Sequence, residues 1–226
     1  MDKKTLLKKV PIFSGISNRD INIIAKSMVE KKYPKGAHLF FENEEGNTLY
    51  VIIHGLVKIY TADKSGRIKT LTYLKDGDFF GEMAMLDQEK RSASAIVVED
   101  AEVLALNRSD VQKEILDNPL IALKLLKTLS ARLRYCDKQI EDLTFRNLPG
   151  RVASTLLDLA AKYGVKTSSG IRLDLKLTHQ ELADIIGTAR EVVTSILGDF
   201  REGGCVEDID KHLIIKNEKE LRSWIT

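Results

Sequence analysis

The chain has 226 residues, 43% of them hydrophobic, which is enough for one large core or two modest ones. Lys+Arg 35 against Asp+Glu 33 leaves a net charge of +2, so bulk charge does not mark a polyanion binder. The two cysteines, Cys136 and Cys205, lie far apart, which excludes a zinc ribbon or a four-cysteine iron–sulfur site.

Residues 1–30 read as helical. Ser17 or Asn18 can cap a run in which Ile21, Ile24, Ala25 and Met28 recur at helical spacing. No signal-peptide core follows Met1-Asp2-Lys3-Lys4, and no apolar stretch approaches a membrane span, so a soluble cytoplasmic protein with no membrane partner is expected. From Tyr33 to about Asn107 the texture changes to short apolar runs: 39–41, 49–53, 56–60, 70–73, 95–98 and 103–106. Gly36, Gly46, Gly55, Gly66 and Gly77 read as turns between them. Many short strands with turn signals predict a β-sandwich or barrel.

Asn118-Pro119 pairs an N-cap residue with a first-turn proline. The 28 residues from 119 to 146 hold no glycine or further proline. Ala122, Leu126, Leu129, Leu133, Cys136, Ile140 and Leu143 step alternately by four and three, a coiled-coil seam over three heptads that favours a partner helix. Asn147-Leu148-Pro149-Gly150 reads as a hinge, and a helix from about Pro149 to Tyr163 ends at Gly164. Thr178–Glu181 and Thr188–Glu191 each match a capping box. Two capped helices so close together predict a helix-turn-helix, with Ala183 at the crossing and Gly187 in the turn. After Gly203-Gly204, Cys205–Glu207 and His212–Lys216 read as the two strands of a wing.

Two segments carry chemistry. Phe80-Gly81-Glu82-Met83-Ala84-Met85-Leu86, followed by Arg91-Ser92-Ala93, sets a glycine before a short helix start, an arginine and a hydroxyl after a loop, and a carboxylate beside them. That inventory suits a phosphorylated sugar. Thr188 to about Phe200 opens with Arg190, able to donate two bonds to a guanine edge, and Glu191, able to accept from cytosine N4.

The cassette, the long helix and the helix-turn-helix together resemble the cyclic-AMP-receptor/FNR family of bacterial transcription regulators, over nearly the whole chain. The resemblance implies an α+β fold. It comprises an N-terminal antiparallel β-roll (jelly-roll-like) with flanking helices over 1–117, a long dimerisation helix over 118–146 and a C-terminal winged helix-turn-helix over 147–226. It implies an allosteric homodimer on a palindromic double-stranded DNA operator, with RNA polymerase as a further partner if the protein is an activator. The implied small-molecule effector is a cyclic nucleotide such as cAMP; no cofactor or catalysis is implied. Glu82 would hold the ribose 2′-hydroxyl. Arg91 and Ser92 would hold the cyclic phosphate, helped by Gly81 and its neighbours Met83, Ala84 and Ala93. Arg132 matches the arginine that supports the cassette glutamate. Where the family reads the base with threonine and serine, this chain has Cys136 and Asp137, so the base is open. The DNA-contacting set would be Thr178, Gln180, Thr188, Arg190, Glu191, Thr194 and Ser195, the last replacing the family's second reading arginine.

Three alternatives stand beside this reading. The signal could be haem or redox, although His38, His54, His179 and His212 are scattered; a thiol at Cys136 is the redox candidate. The module could regulate a protein partner, because residues 147–226 hold 11 Lys+Arg against 12 Asp+Glu, without the basic excess of most DNA-binding domains. An enzyme is disfavoured, since Glu82, Asp87 and Glu89 have no histidine near them in sequence.

Overall fold

The computed structural model describes residues 3–210 and 212–225. These divide into two units. One holds the described residues up to Thr61 together with Leu71–Arg132; the other holds Ala62–Thr70 and the described residues from Leu133 onward. Among the described residues no helix is long and apolar enough to cross a membrane.

The chain opens with helix α1 (Lys3–Lys9), a 3-10 turn (Pro11–Phe13) and helix α2 (Asn18–Ser27). Ser17 is the cap of α2, its hydroxyl accepting from the Asp20 N–H at 3.2 Å. The helix expected through residue 30 stops at Ser27. Met28 is extended and buried, and Val29–Tyr33 form strand β1 instead. VEKKY is largely exposed and shows no alternation, so only its pairing with a later strand makes it β.

Strands β2 (His38–Phe40), β3 (Thr48–Ala62), β4 (Ile68–Leu74), β5 (Phe79–Phe80) and β6 (Ser94–Asn107) complete a six-stranded sheet ordered β1-β6-β3-β4, with β2 on β6 and β5 on β3. The apolar runs 49–53 and 56–60 belong to one strand, and so do 95–98 and 103–106. Gly55 is therefore not a turn. It sits at φ 106° where the β3–β6 register shifts, and a Cβ there would lie 2.5 Å from the Asp100 carbonyl oxygen. It is a bulge glycine that lets two backbones close. The central strands are buried on both faces. Leu49, Val51, Leu104 and Leu106 pack with Ile21, Ile24 and Val111 of the helices, and Tyr50, Ile52, Val103 and Ala105 pack inside the roll. Two-sided burial explains why these strands read as continuous apolar runs.

Helix α3 (Glu82–Asp87) follows β5, and helix α4 (Arg108–Asp117) follows β6 directly. Helix α5 (Pro119–Phe145) spans 27 residues, about 40 Å at a helical rise. Asn118, expected as its cap, directly precedes Pro119 and also ends α4, its backbone N–H donating to the Glu114 carbonyl at 2.9 Å and its own carbonyl accepting from the Ile121 N–H. Ile121 and Leu125 of α5 join the first unit's core. The predicted seam is a different stripe. Leu126 is 58% exposed, Leu133 63% and Ile140 62%.

In the second unit, helix α6 (Leu148–Tyr163) begins after only two residues, Arg146 and Asn147. The Asn147 side chain accepts from the Gly150 N–H at 2.8 Å, so Leu148–Gly150 are the first turn of a capped helix and the break between the two helices is confined to Arg146 and Asn147. Strands β7 (Gly164–Thr167) and β8 (Gly170–Leu173) were not foreseen. They pair with the wing strands β9 (Val206–Ile209) and β10 (His212–Ile215) in the order β7-β8-β10-β9. Helices α7 (His179–Ile186) and α8 (Arg190–Glu202) bury Leu182, Ala183, Ile186, Val193 and Leu197, and both helices, like α9 (Glu218–Ser223), lie against α6.

Candidate functional site

The cassette lies where β5 turns into α3. Gly81 takes a left-handed conformation (φ 80°), and a Cβ there would meet Arg91 Nη1 at 2.7 Å and the Thr48 carbonyl at 2.8 Å. Only glycine leaves room for the arginine. Arg91 is 5% exposed. Its guanidinium donates to the carbonyls of Gly81 (2.8 Å) and Thr48 (3.0 Å), and it stacks over Phe40 with 4.2 Å to the ring centroid. Gly46 covers it from another side: a Cβ at that position would lie 2.7 Å from Nε. Burial draws the guanidinium down from its ordinary range, opposed by Tyr50, Glu82 and Glu44. Burial likewise pushes the Tyr50 hydroxyl up, against the pull of Arg91. The arginine stays charged, held by carbonyl dipoles and an aromatic face in a desolvated pocket.

Glu82 is 2% exposed and pairs with Arg132 at 2.6 Å through Oε1. Arg132 also donates to the Phe79 carbonyl at 2.5 Å and lies over the Phe79 ring. Thus Glu82 and Arg91, nine positions apart in the motif, do not pair with each other. Glu82 Oε2 and Arg91 Nε are both buried without a hydrogen-bond partner. Such orphans are costly in a native core, and they mark atoms suited to an added hydroxyl and an added oxyanion. Ser92 is exposed, and its hydroxyl meets Met83 Sδ at 3.5 Å. Met83 is exposed, whereas Ala84 and Ala93 are buried as packing around the site. Cys136 and Asp137 are exposed positions of α5 in the other unit.

Sequence reasoning missed Arg108, Thr48 and Phe40. Arg108 donates to Gly46 (3.2 Å) and to Ala84 (2.8 Å), pinning α3 to the 46–48 loop. Its place just after β6 carries no motif, so only the closing of the roll reveals it.

In the second unit the Thr178 capping box is complete. Thr178 Oγ1 accepts from the Glu181 N–H, and Glu181 accepts from the Thr178 N–H at 2.7 Å. The second expected box does not form. Gly187 is left-handed (φ 78°), and the N–H groups of Gly187 and Thr188 both donate to the Ala183 carbonyl. That uses Thr188 to close α7, so α8 starts one residue later with Ala189 as its uncapped first neighbour. Glu191 is thereby released from capping. Arg190, Glu191 and Ser195 are exposed, and among the described residues no hydrogen bond or ion pair engages their side chains. Gln180 is exposed and donates to Asp184 at 2.8 Å. Thr194 is engaged: its hydroxyl donates to the Arg190 carbonyl at 2.9 Å.

Comparison with known proteins agrees with this geometry. Residues 30–118 match the family model of the cyclic nucleotide-binding domain, and residues 150–224 match the Crp-like helix-turn-helix domain. The chain is 33% identical over 216 residues to the CRP-like cAMP-activated global transcriptional regulator of Mycobacterium tuberculosis, covering 96% of each protein. The chain belongs to the CRP/FNR family. It is thus a ligand-responsive, DNA-binding transcription regulator of that family's architecture. It is 35% identical over 200 residues to the cyclic AMP receptor protein of Thermus thermophilus, covering 88% of this chain and 89% of that one. A CooA mutant from Carboxydothermus hydrogenoformans superposes with a TM-score of 0.79 at 27% identity, over 91% and 90% of the two chains.

Proposed function

We propose that this family member is a cytoplasmic homodimer whose β-roll takes a cyclic nucleotide and whose two recognition helices then read a palindromic operator. The buried orphan pair, Glu82 Oε2 and Arg91 Nε, carries the reading. A ribose hydroxyl can donate to the first, and a cyclic phosphate can accept from the second. Phosphate binding would compete with the Gly81 and Thr48 carbonyls for Arg91, coupling occupancy to the α3 start and the 46–48 loop. Arg132 would couple the same event to α5 through Glu82. Ser92 would add a hydroxyl to the phosphate, with Gly81, Met83, Ala84 and Ala93 lining it. Cys136 and Asp137 would meet the base, with Asp137 able to accept from an exocyclic amine. Two relatives are named for cyclic AMP, which makes it the first effector to test.

The exposed seam of α5 would be covered by the same helix of a second copy. Thr178, Gln180 and Thr188 would sit on the phosphate backbone, and Arg190 and Glu191 on a G·C pair, with looser reading at Ser195. The recognition helices must fit successive major grooves, about 34 Å apart. An effector that binds one dimer arrangement better than another can set that spacing. The test is selection from random duplexes, followed by a gel shift with and without cyclic AMP or cyclic GMP. Effector-dependent retention of a palindrome with G·C in each half-site is expected. Binding to no duplex under any condition would favour regulation of a protein partner.

A further inference from the structure

The first helix of the helix-turn-helix begins with a histidine that is tied to the recognition helix. His179 Nδ1 lies 2.8 Å from Thr194 Oγ1, and the same oxygen lies 2.9 Å from the carbonyl oxygen of Arg190. Counting hydrogens settles the direction. A carbonyl only accepts, so the single hydroxyl hydrogen of Thr194 goes to Arg190. The Thr194 oxygen then receives, and His179 must carry its hydrogen on Nδ1. The result is a directed chain, His179 Nδ1–H to Thr194 Oγ1–H to Arg190 C=O. It joins the first residue of α7 to the first turn of α8.

We infer that His179 is a positioning residue for DNA reading, holding through Thr194 the turn of α8 that presents Arg190 and Glu191. The inference rests on the DNA-binding reading above. It also removes Thr194 as a hydrogen-bond donor to a base, because its only hydrogen is spent, and leaves Ser195 as the free hydroxyl donor among these first α8 residues. The two helices are already packed through Leu182, Ala183, Val193 and Leu197, all buried, whereas the His179–Thr194 bond is exposed. Its loss should therefore cost the fold little and the orientation of α8 more.

The test uses the full-length protein and its selected operator. Affinity is measured by fluorescence anisotropy on that operator, and on a duplex altered at the pair where Arg190→Ala loses discrimination. His179→Ala should weaken operator binding about three- to tenfold, the effect of one lost hydrogen bond, and lower the discrimination ratio. Thr194→Val should do the same, and the double variant should lose no more than either, as expected for one chain of bonds. His179→Asn should recover affinity to within about twofold, since its Nδ2–H lies as many bonds from the backbone as Nδ1. The melting of Trp224 fluorescence should stay unchanged throughout. Wild-type affinity and discrimination in His179→Ala would overturn the inference alone. So would failure of asparagine to rescue, or a loss matched by a lower melting temperature. Failure of the wild type to select any duplex would sink the DNA-binding reading and this inference with it.

Discussion

Removing one carboxylate at the α5–α6 junction should loosen the corner where the end of α5 meets α6 within the second unit. Asp142, Arg146 and Ser154 form a nearly enclosed cluster there. Arg146 Nη1 lies 2.8 Å from Asp142 Oδ1, as an ion pair rather than an aligned hydrogen bond. Ser154 Oγ donates to Asp142 Oδ2 at 2.9 Å and accepts from Arg146 at 2.8 Å. The side chains of Arg146 and Asp142 are only 19% and 6% exposed. Asp142→Ala would leave Arg146 with Glu141 at 4.0 Å as its remaining carboxylate. An uncompensated buried charge costs about 3–5 kcal/mol, and the residual exposure of Arg146 argues for the low end, about 3 kcal/mol. For a unit of this size each kcal/mol moves the melting temperature by about 4–8 °C, so a fall of at least about 10 °C is expected. Ser154→Ala, which strips one donor from the carboxylate, should cost about 1–2 kcal/mol. Trp224 is the only tryptophan and packs edge-on against Phe200 of the same unit, 5.0 Å between ring centroids. Its fluorescence therefore reports this unit selectively. A fall of less than about 3 °C in Asp142→Ala would refute the idea that this cluster fixes the corner.

Other outcomes follow from the same structure. Leu126→Lys combined with Leu133→Lys should convert a dimer to monomers in sedimentation equilibrium, because both side chains lie on the exposed seam; an unchanged dimer would place the interface elsewhere. Tyr135 is pushed up to about 12, first by burial and then by Asp158, Asp142 and Cys136. The folded state holds this proton more tightly than the unfolded chain does. Stability is therefore full below the ordinary tyrosine value of 10.0 and is lost as pH rises toward about 12, an effect that Tyr135→Phe should remove from urea-unfolding profiles. Residues 147–226 hold 11 Lys+Arg against 12 Asp+Glu. Operator affinity should thus fall with log salt at a slope shallower than about −5, whereas a slope near −10 would mean far more phosphate contacts.

How much of this was legible in the sequence depended on whether a residue acts through local spacing or through closure. The Thr178 box and the left-handed Gly187 are local, and both stand where spacing put them. The Thr188 box failed because α7 takes the Thr188 N–H for its own end, a competition invisible to a four-residue pattern. Gly55 was read as a turn since glycine between apolar runs usually is one; here it answers to Asp100, forty-five residues on. β1, β7 and β8 were missed because VEKKY, GVKT and GIRL have little apolar alternation and become strands only by pairing. The break read at 147–150 does separate two helices, but it is shorter than expected, because the Asn147 cap draws Leu148 into the helix start. In the cassette, the motif identified Glu82 and Arg91. The family resemblance also named Arg132 as the support of Glu82, with which it pairs, whereas the Thr48 and Gly81 carbonyls that hold Arg91 come from the folding of the roll.

Calorimetric titration of the wild-type protein with 3′,5′-cyclic AMP and then cyclic GMP, beside Arg91→Ala, tests the central claim most directly. Saturable binding of one nucleotide is predicted, lost in the variant while the dimer persists. Absence of binding to either, or an Arg91→Ala variant that binds as the wild type does, would contradict the assignment of the Glu82–Arg91 cassette as the sensor.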